Sequence, residues 1–226
     1  MTRSKIKDAP KMSRREATQT AIMRSVECLA AENGLENISI RDILARAGQK
    51  NESALQYHFK NLSGLLAAIR RARAQEVAAR RQQYLEVLLD KSPELNLRQI
   101  CSVMVMPAFD LAKTAPGFKT YIQAFGHELM GADRERVEAH TRALGDSAFE
   151  TGVLLQKALP HLDRVTYHTR VEHAFRFVSA AMNQHAQQPR AFKGKSAEIF
   201  VQNLIDALEG LLKAPVSAET HAASEK

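Results

Sequence analysis

The sequence of 226 residues contains only two cysteines and no long run of apolar residues. Cys28 and Cys101 lie far apart within apolar-periodic stretches, which is typical of small buried side chains in a reducing compartment. No segment approaches the roughly 18 consecutive apolar residues of a membrane-spanning helix, and no apolar core of a secretory signal follows the basic N-terminus. We therefore expect a globular cytoplasmic protein without a membrane partner.

Recognisable catalytic and metal-binding motifs are also missing. HELMG at 127–131 begins like the HExxH of zinc proteases, but Gly131 stands where the second histidine would be. There is no phosphate-binding glycine loop, Gly-x-Ser-x-Gly elbow or CxxC pair. We therefore expect no enzyme activity, no cofactor and no metal site. The alternatives are an enzyme without a recognisable motif and a helical dimeric interaction protein.

No sustained period-two alternation of β-branched residues is present, so the sequence predicts helices and no strands. Ser13 and Glu16 form a capping-box pattern that begins the first helix, and Gly34, suited to a left-handed backbone, ends it. The second helix is predicted from Ser39 to Gly48. The third begins at Asn51, as its N-cap, and ends at about residue 59. The fourth begins at Asn61 and continues to about residue 90.

The rest of the chain continues the helical pattern. Pro107 lies inside the segment 97–114 and predicts either a kink there or a division of that segment into two helices. Beyond Pro215 we expect a frayed tail. The predicted helices cover residues 97–114, 118–130, 134–159, 163–187 and 196–213.

Positive charge is unevenly distributed. Residues 1–91 carry 17 Lys and Arg against 10 Asp and Glu, a net of +7, whereas residues 92–226 carry 15 of each sign. Such asymmetry favours a polyanionic partner for the first part, although an ordinary solvated basic face is an equal alternative on charge alone.

The stretch GQKNESALQYHF at 48–59 has the composition that a DNA recognition helix needs. A glycine turn joins two short helices, as in a helix-turn-helix. Ala54, Leu55 and Phe59 offer an apolar edge, while Gln and Asn side chains can pair with adenine and hydroxyls can hold phosphates.

Residues 14–66 resemble the DNA-binding domain of TetR-family transcriptional regulators, through ISIRDILARAG, the terminal LQYHF and the LLAAI that begins a long helix. Two departures are visible. One extra residue lies between Gly48 and Phe59, and Leu62 occupies a position where the family often has a phosphate-contacting lysine, for which Lys60 is the candidate substitute.

By this resemblance, Ser39, Arg41, Tyr57, His58 and Lys60 contact phosphates and Ser53 and Gln56 face bases. The structural alternatives are a core aromatic for Tyr57, a satisfied helix-end residue for His58 and a solvated side chain for Arg41. The predicted DNA-binding residues are Ser39, Arg41, Asn51, Ser53, Gln56, Tyr57, His58 and Lys60.

The resemblance implies an all-α protein with a disordered basic arm (1–12), a three-helix helix-turn-helix domain (13–61), a helical regulatory and dimerisation domain (62–214) and a flexible tail (215–226). The expected function is that of a homodimeric regulator, a repressor of a palindromic operator in double-stranded DNA that a small apolar or amphipathic effector releases. The candidate pocket residues, for which ordinary core positions are the alternative, are Cys101, Met104, Phe109, Phe118, Tyr121, Phe125 and Phe149. The candidate dimer-interface residues, for which packing within the chain is the alternative, are Phe175, Val178, Met182, Phe200, Leu204, Leu208 and Leu211.

Overall fold

The structure is a computed structural model that describes residues 13–128 and 145–224. These residues form ten α-helices and no strand, so the all-α prediction is confirmed. A short 3₁₀ turn, Leu35–Asn37, follows the first helix. The helices are α1 (Arg14–Asn33), α2 (Ile40–Arg46), α3 (Ser53–Phe59), α4 (Leu62–Lys91), α5 (Leu97–Thr114), α6 (Phe118–Phe125), α7 (Gly145–Ala158), α8 (Arg164–Ala186), α9 (Gly194–Lys213) and α10 (Ala218–Ser224).

The chain divides into two compact units, Met1–Ala67 and Ala68–Lys226. The division falls inside α4, six residues beyond the boundary that the sequence predicts at 61/62. The first unit therefore includes the initial turns of α4, whose Leu65 is fully buried.

Side-chain caps begin three helices of the first unit, α1, α2 and α4, as the sequence predicts. The Ser13 hydroxyl accepts a hydrogen bond from the Glu16 backbone N–H, and the Glu16 carboxylate accepts one from the Ser13 N–H. Ser39 caps α2 by accepting from the Asp42 N–H. The Asn61 side-chain oxygen accepts from the Gly64 N–H at 2.8 Å. Each cap satisfies a backbone donor that has no partner within the helix.

The turn between α2 and α3 combines two local devices. Gly48, at φ 68°, lets its own N–H donate to the Ala45 carbonyl while the Gln49 N–H donates to the Leu44 carbonyl, which is the Schellman termination that glycine favours. Asn51 is not the N-cap that we predicted, because α3 begins at Ser53. Its side chain instead accepts from the Ser53 N–H at 3.0 Å and shapes the turn before the helix.

The end of α1 also differs from the prediction. Gly34 has φ 84° and ψ 147°, a positive φ but not the left-handed helical conformation. The chain therefore leaves α1 extended and enters the 3₁₀ turn. The buried apolar residues of this unit are Ile22, Val26, Ala30, Ile43, Leu44, Leu55, Phe59 and Leu65.

The second unit is built around α5, which packs against α6, α7 and α9, while α8 packs against α6 and α9. Phe109, Phe118, Leu208 and Leu212 are among its most deeply buried side chains. Pro107 lies within a continuous helix, so of the two predicted outcomes the division into two helices is wrong, and the kink stays a prediction. Packing against three helices outweighs the hydrogen bond that proline removes.

Further expectations concern the termini and the segments that follow α5. The tail beyond Pro215 is not wholly irregular, because residues 218–224 form α10. The segment predicted as 118–130 is helical only to Phe125, and a turn occupies 126–128. The predicted arm at 1–12, the last two residues of the 118–130 segment and the beginning of the 134–159 segment lie outside the described residues. Within the described ranges, no helix has the length and apolar character needed to cross a membrane.

Candidate functional site

The short helix α3 presents one polar face and one buried apolar edge. Ser53, Gln56 and Tyr57 are exposed, with Tyr57 71 % exposed, whereas Leu55 and Phe59 are buried. Positions 53, 56 and 57 share a helix face because residues three and four apart are neighbours. The predicted apolar edge is confirmed for Leu55 and Phe59, while Ala54 is only half-buried, and the alternative of a core Tyr57 is wrong.

Tyr57 has a cationic neighbour that sequence reasoning missed. The guanidinium of Arg15 lies 5.6 Å from the centroid of the Tyr57 ring, within cation–π range. Arg15 stands in the first turn of α1, where the helix dipole disfavours a positive charge. A positive charge in the first turn of a helix was the one sign in the sequence that could have pointed to a contact between Arg15 and another element.

His58 is less accessible than its neighbours. It is half-buried, and its ring lies 4.9 Å from the Tyr57 ring in an edge-on arrangement. The buried Nδ1 atom has no hydrogen-bond partner among the described residues. The geometry therefore presents Tyr57 to solvent and leaves His58 partly behind it.

Lys60 ends α3 in an unusual backbone conformation. It is exposed, and its φ of 69° is one that non-glycine residues rarely adopt. The start of α4 lies close to the end of α3: a Cβ atom at Gly64 would lie 2.1 Å from the carbonyl oxygen of Phe59. Only a residue without a side chain fits at position 64, so Gly64 allows α4 to begin this close to α3.

The predicted contacts at the start of α2 differ in availability. Arg41 is exposed. The Ser39 hydroxyl is engaged, since it donates to an Asp42 carboxylate oxygen at 2.5 Å besides capping α2. Ser39 would have to break this hydrogen bond to donate to a phosphate.

The positive excess of the first 91 residues is not concentrated on the helix-turn-helix. Residues 13–67 carry 7 Lys and Arg against 6 Asp and Glu, while residues 1–12 carry 4 against 1. Helix α4 carries the remainder, and most of its arginines are engaged inside the second unit. The engaged pairs are Arg70 with Glu128, Arg73 with Glu76 and Arg80 with Asp110.

The second unit contains a cavity of about 90 Å³ between α4, α5, α7 and α8. Its apolar walls come mainly from Met104, Leu155, Val171 and Phe175. Arg81 of α4 also lines it.

The polar groups that line the cavity differ in whether they have hydrogen-bond partners. The Thr151 hydroxyl donates to the Ser147 carbonyl at 2.6 Å, and the Tyr167 hydroxyl donates to the Gly152 carbonyl at 3.0 Å. Arg81 is only 5 % exposed, and its Nη1 has no hydrogen-bond partner among the described residues. Burial lowers the pKa of Arg81 to about 10, so its guanidinium stays protonated at neutral pH.

Of the seven predicted pocket residues, only Met104 lines this cavity. Phe149 is 77 % exposed and is therefore no part of an enclosed pocket in the single chain, because its side of α7 faces solvent. Tyr121 is half-buried and packs on the core. The other four lie in the core itself: Cys101, Phe109, Phe118 and Phe125.

The predicted dimer residues fall into two groups. Met182, Leu204 and Leu208 are buried, because α9 packs against α5 and α8 of the same chain, so these three are removed from the candidate interface. Four residues remain partly exposed and available: Phe175, Val178, Phe200 and Leu211.

No protein-family model matches the sequence, and no curated protein matches it. Solved structures do share its fold. The TetR family transcriptional regulator PfmR from Thermus thermophilus is 18 % identical, with a TM-score of 0.51 over 91 % of this chain and 98 % of that chain. RolR in complex with the ligand resorcinol is 15 % identical, with a TM-score of 0.50 over 90 % of this chain and 96 % of that chain. The chain therefore has the fold of TetR family regulators.

Proposed function

We propose that the chain is a TetR-family transcriptional regulator that binds operator DNA through α3. The observation that carries this proposal is the division of α3 into a buried edge of Leu55 and Phe59 and an exposed face of Ser53, Gln56 and Tyr57. A helix of seven residues is too short to be stable alone. Its buried edge holds it to the unit while the polar face stays free for a major groove.

The exposed groups divide by the kind of contact their chemistry favours. Gln56 can form paired hydrogen bonds with an adenine edge, and Ser53 can contact either a base or a phosphate. Tyr57, Lys60 and Arg41 suit phosphate oxygens, which position a protein on DNA without reading sequence. Arg15, which lies against Tyr57, joins this second group. His58 and Asn51 serve mainly to support α3 and its preceding turn.

We further propose a homodimer that represses from a palindromic operator. Two recognition helices related by a two-fold axis reach successive major grooves when they lie roughly 34 Å apart. The half-exposed Phe175, Val178, Phe200 and Leu211 supply apolar surface for the contact between subunits. Light scattering coupled to gel filtration should give about twice the mass of the chain, and Phe200→Glu should shift the protein toward the monomer. A wild-type protein that is monomeric at micromolar concentration would refute this part of the proposal.

The effector is proposed to occupy the cavity beside Arg81. A ligand that favours a conformation with the recognition helices out of register would release the DNA. RolR, which shares the fold, is known in complex with resorcinol.

The assignment of roles on α3 is tested by comparing variants on two DNA duplexes, the selected operator and a shuffled sequence. Gln56→Ala should reduce the ratio of the two affinities, because it removes a base contact worth about 1–3 kcal/mol. Tyr57→Phe and Lys60→Ala should weaken binding to both duplexes similarly. Arg71→Ala is the control, because Arg71 is an exposed arginine of α4 that lies outside the first unit. This variant should bind both duplexes as the wild type does. If Gln56→Ala preserved the affinity ratio, the recognition face would be wrongly assigned.

A further inference from the structure

Arg81 is a buried arginine of α4 that lacks an ionic partner inside the described part of the second unit. Its neighbours along the helix show the contrast. Arg70 binds Glu128 through two hydrogen bonds of 2.8 and 2.5 Å, and Arg73 binds Glu76 at 2.9 Å. Arg81 is more deeply buried than either, yet no described acceptor binds its Nη1. A buried cation without a partner is unfavourable, because water no longer solvates it.

The rest of the cavity wall defines what could complete this site. Thr151 and Tyr167 have already donated their hydroxyl protons to backbone carbonyls, so Arg81 is the available strong donor on the described wall. The remaining surface is mostly apolar, with Met104 and Leu155 prominent. A complementary ligand therefore has one anionic acceptor and a hydrocarbon body.

The planar fork of a guanidinium matches a carboxylate in particular, since two parallel N–H bonds can reach its two oxygens. The size of the cavity limits the body of the ligand. A cavity of about 150 Å³ is known to hold benzene, so about 90 Å³ suits a body somewhat smaller than a benzene ring, such as a short alkyl chain. Met104, with its flexible and half-buried side chain, can move to admit slightly more.

We propose that this cavity binds a small monocarboxylate with an apolar body, with the carboxylate on Arg81 and the hydrocarbon between α5, α7 and α8. The regulatory meaning of this binding rests on the proposed function, whereas the binding itself does not. The proposal narrows the effector from any apolar or amphipathic molecule to an organic anion.

The test uses matched pairs of probes that differ in charge. Benzoate and hexanoate are titrated into the full-length protein up to millimolar concentration, beside benzamide and hexanamide, and the melting temperature is followed. A ligand selective for the folded state raises the melting temperature with concentration. At least one carboxylate should do so, and its amide should not. Stabilisation by the amide equal to that by the carboxylate, or by none of the four, would overturn the proposal.

Three variants separate ligand binding from general stability. Arg81→Met should melt above the wild type without ligand, because a buried unpaired charge is removed, and should lose the carboxylate effect. Arg81→Lys keeps the charge but loses the fork, so its affinity for the carboxylate should fall about tenfold. Arg71→Met removes an exposed positive charge from the same helix and should bind as the wild type does. An undiminished carboxylate shift in both Arg81 variants would place the ligand elsewhere.

Operator binding is measured separately on the same preparations. Carboxylate binding without any sequence-selective DNA binding would support this site and refute the regulator. Selective DNA binding without a carboxylate effect would leave the regulator standing and refute this site.

Discussion

Replacing Gly64 by alanine should destabilise the protein, although glycine-to-alanine changes within helices usually stabilise. Gly64 is the third residue of α4, where alanine would gain about 1 kcal/mol in helix propensity. The added Cβ would, however, lie 2.1 Å from the Phe59 carbonyl oxygen and 3.3 Å from its carbon. The obstructing atom belongs to the backbone at the end of α3, so no side-chain rotation relieves the contact. Overpacking of this kind costs about 1–3 kcal/mol, which outweighs the propensity gain.

Subtracting the propensity gain from the clash leaves a net loss of up to about 2 kcal/mol, which for a chain of this length lowers the melting temperature by up to roughly 8 °C. Because relief of the clash displaces α3, operator affinity should also fall, by about tenfold. Gly210→Ala is the matched control: Gly210 lies within α9, and a Cβ there meets nothing within 4 Å. That variant should be stabilised by about 0.5–1 kcal/mol. If Gly64→Ala also melted at or above the wild-type temperature, the claim that the Phe59 carbonyl leaves no room for a Cβ atom at position 64 would be wrong.

Two further predictions concern the second unit. His185 is buried, stacks on Phe200 and accepts a hydrogen bond from the Phe192 N–H through Nε2, and burial lowers its pKa. The unfolded chain therefore binds the proton more readily, so the free energy of unfolding should fall as pH decreases through about 6.5. Urea unfolding between pH 8 and about pH 5 should show a weaker decline for His185→Gln, and identical declines would contradict this account. Arg170 donates to the carbonyls of Leu212 and Pro215 at 3.1 Å, so Arg170→Met should lower the unfolding free energy by about 1–3 kcal/mol, and an unchanged urea midpoint would count against it.

The sequence predicted those features of the fold that depend on residues close together in the chain. The caps at Ser13, Ser39 and Asn61 and the termination at Gly48 each require partners within a few positions, so their patterns could be read directly. The apolar edge of α3 followed in the same way from the spacing of Leu55 and Phe59.

Features that depend on distant partners could not be predicted. Arg70 and Arg80 contributed to an apparent surplus of positive charge, whereas their partners Glu128 and Asp110 lie 58 and 30 residues further along the chain. Periodicity shows that a helix has an apolar side but not which helix covers it, which is why Phe149 was assigned to a pocket and is exposed. Nothing local distinguishes Arg81 from the arginines around it, so its burial appears only in the fold.

Sequence-selective DNA binding can be measured by titrating the protein against a duplex taken from the DNA that flanks its own gene. A shuffled duplex of the same composition is the comparison, and both titrations are repeated at several salt concentrations. We expect the flanking duplex to bind at least a hundredfold more tightly. The affinity for both duplexes should fall steeply as the salt concentration rises, because phosphate contacts release counterions. Equal affinity for the two duplexes, or binding that salt leaves unchanged, would contradict this expectation.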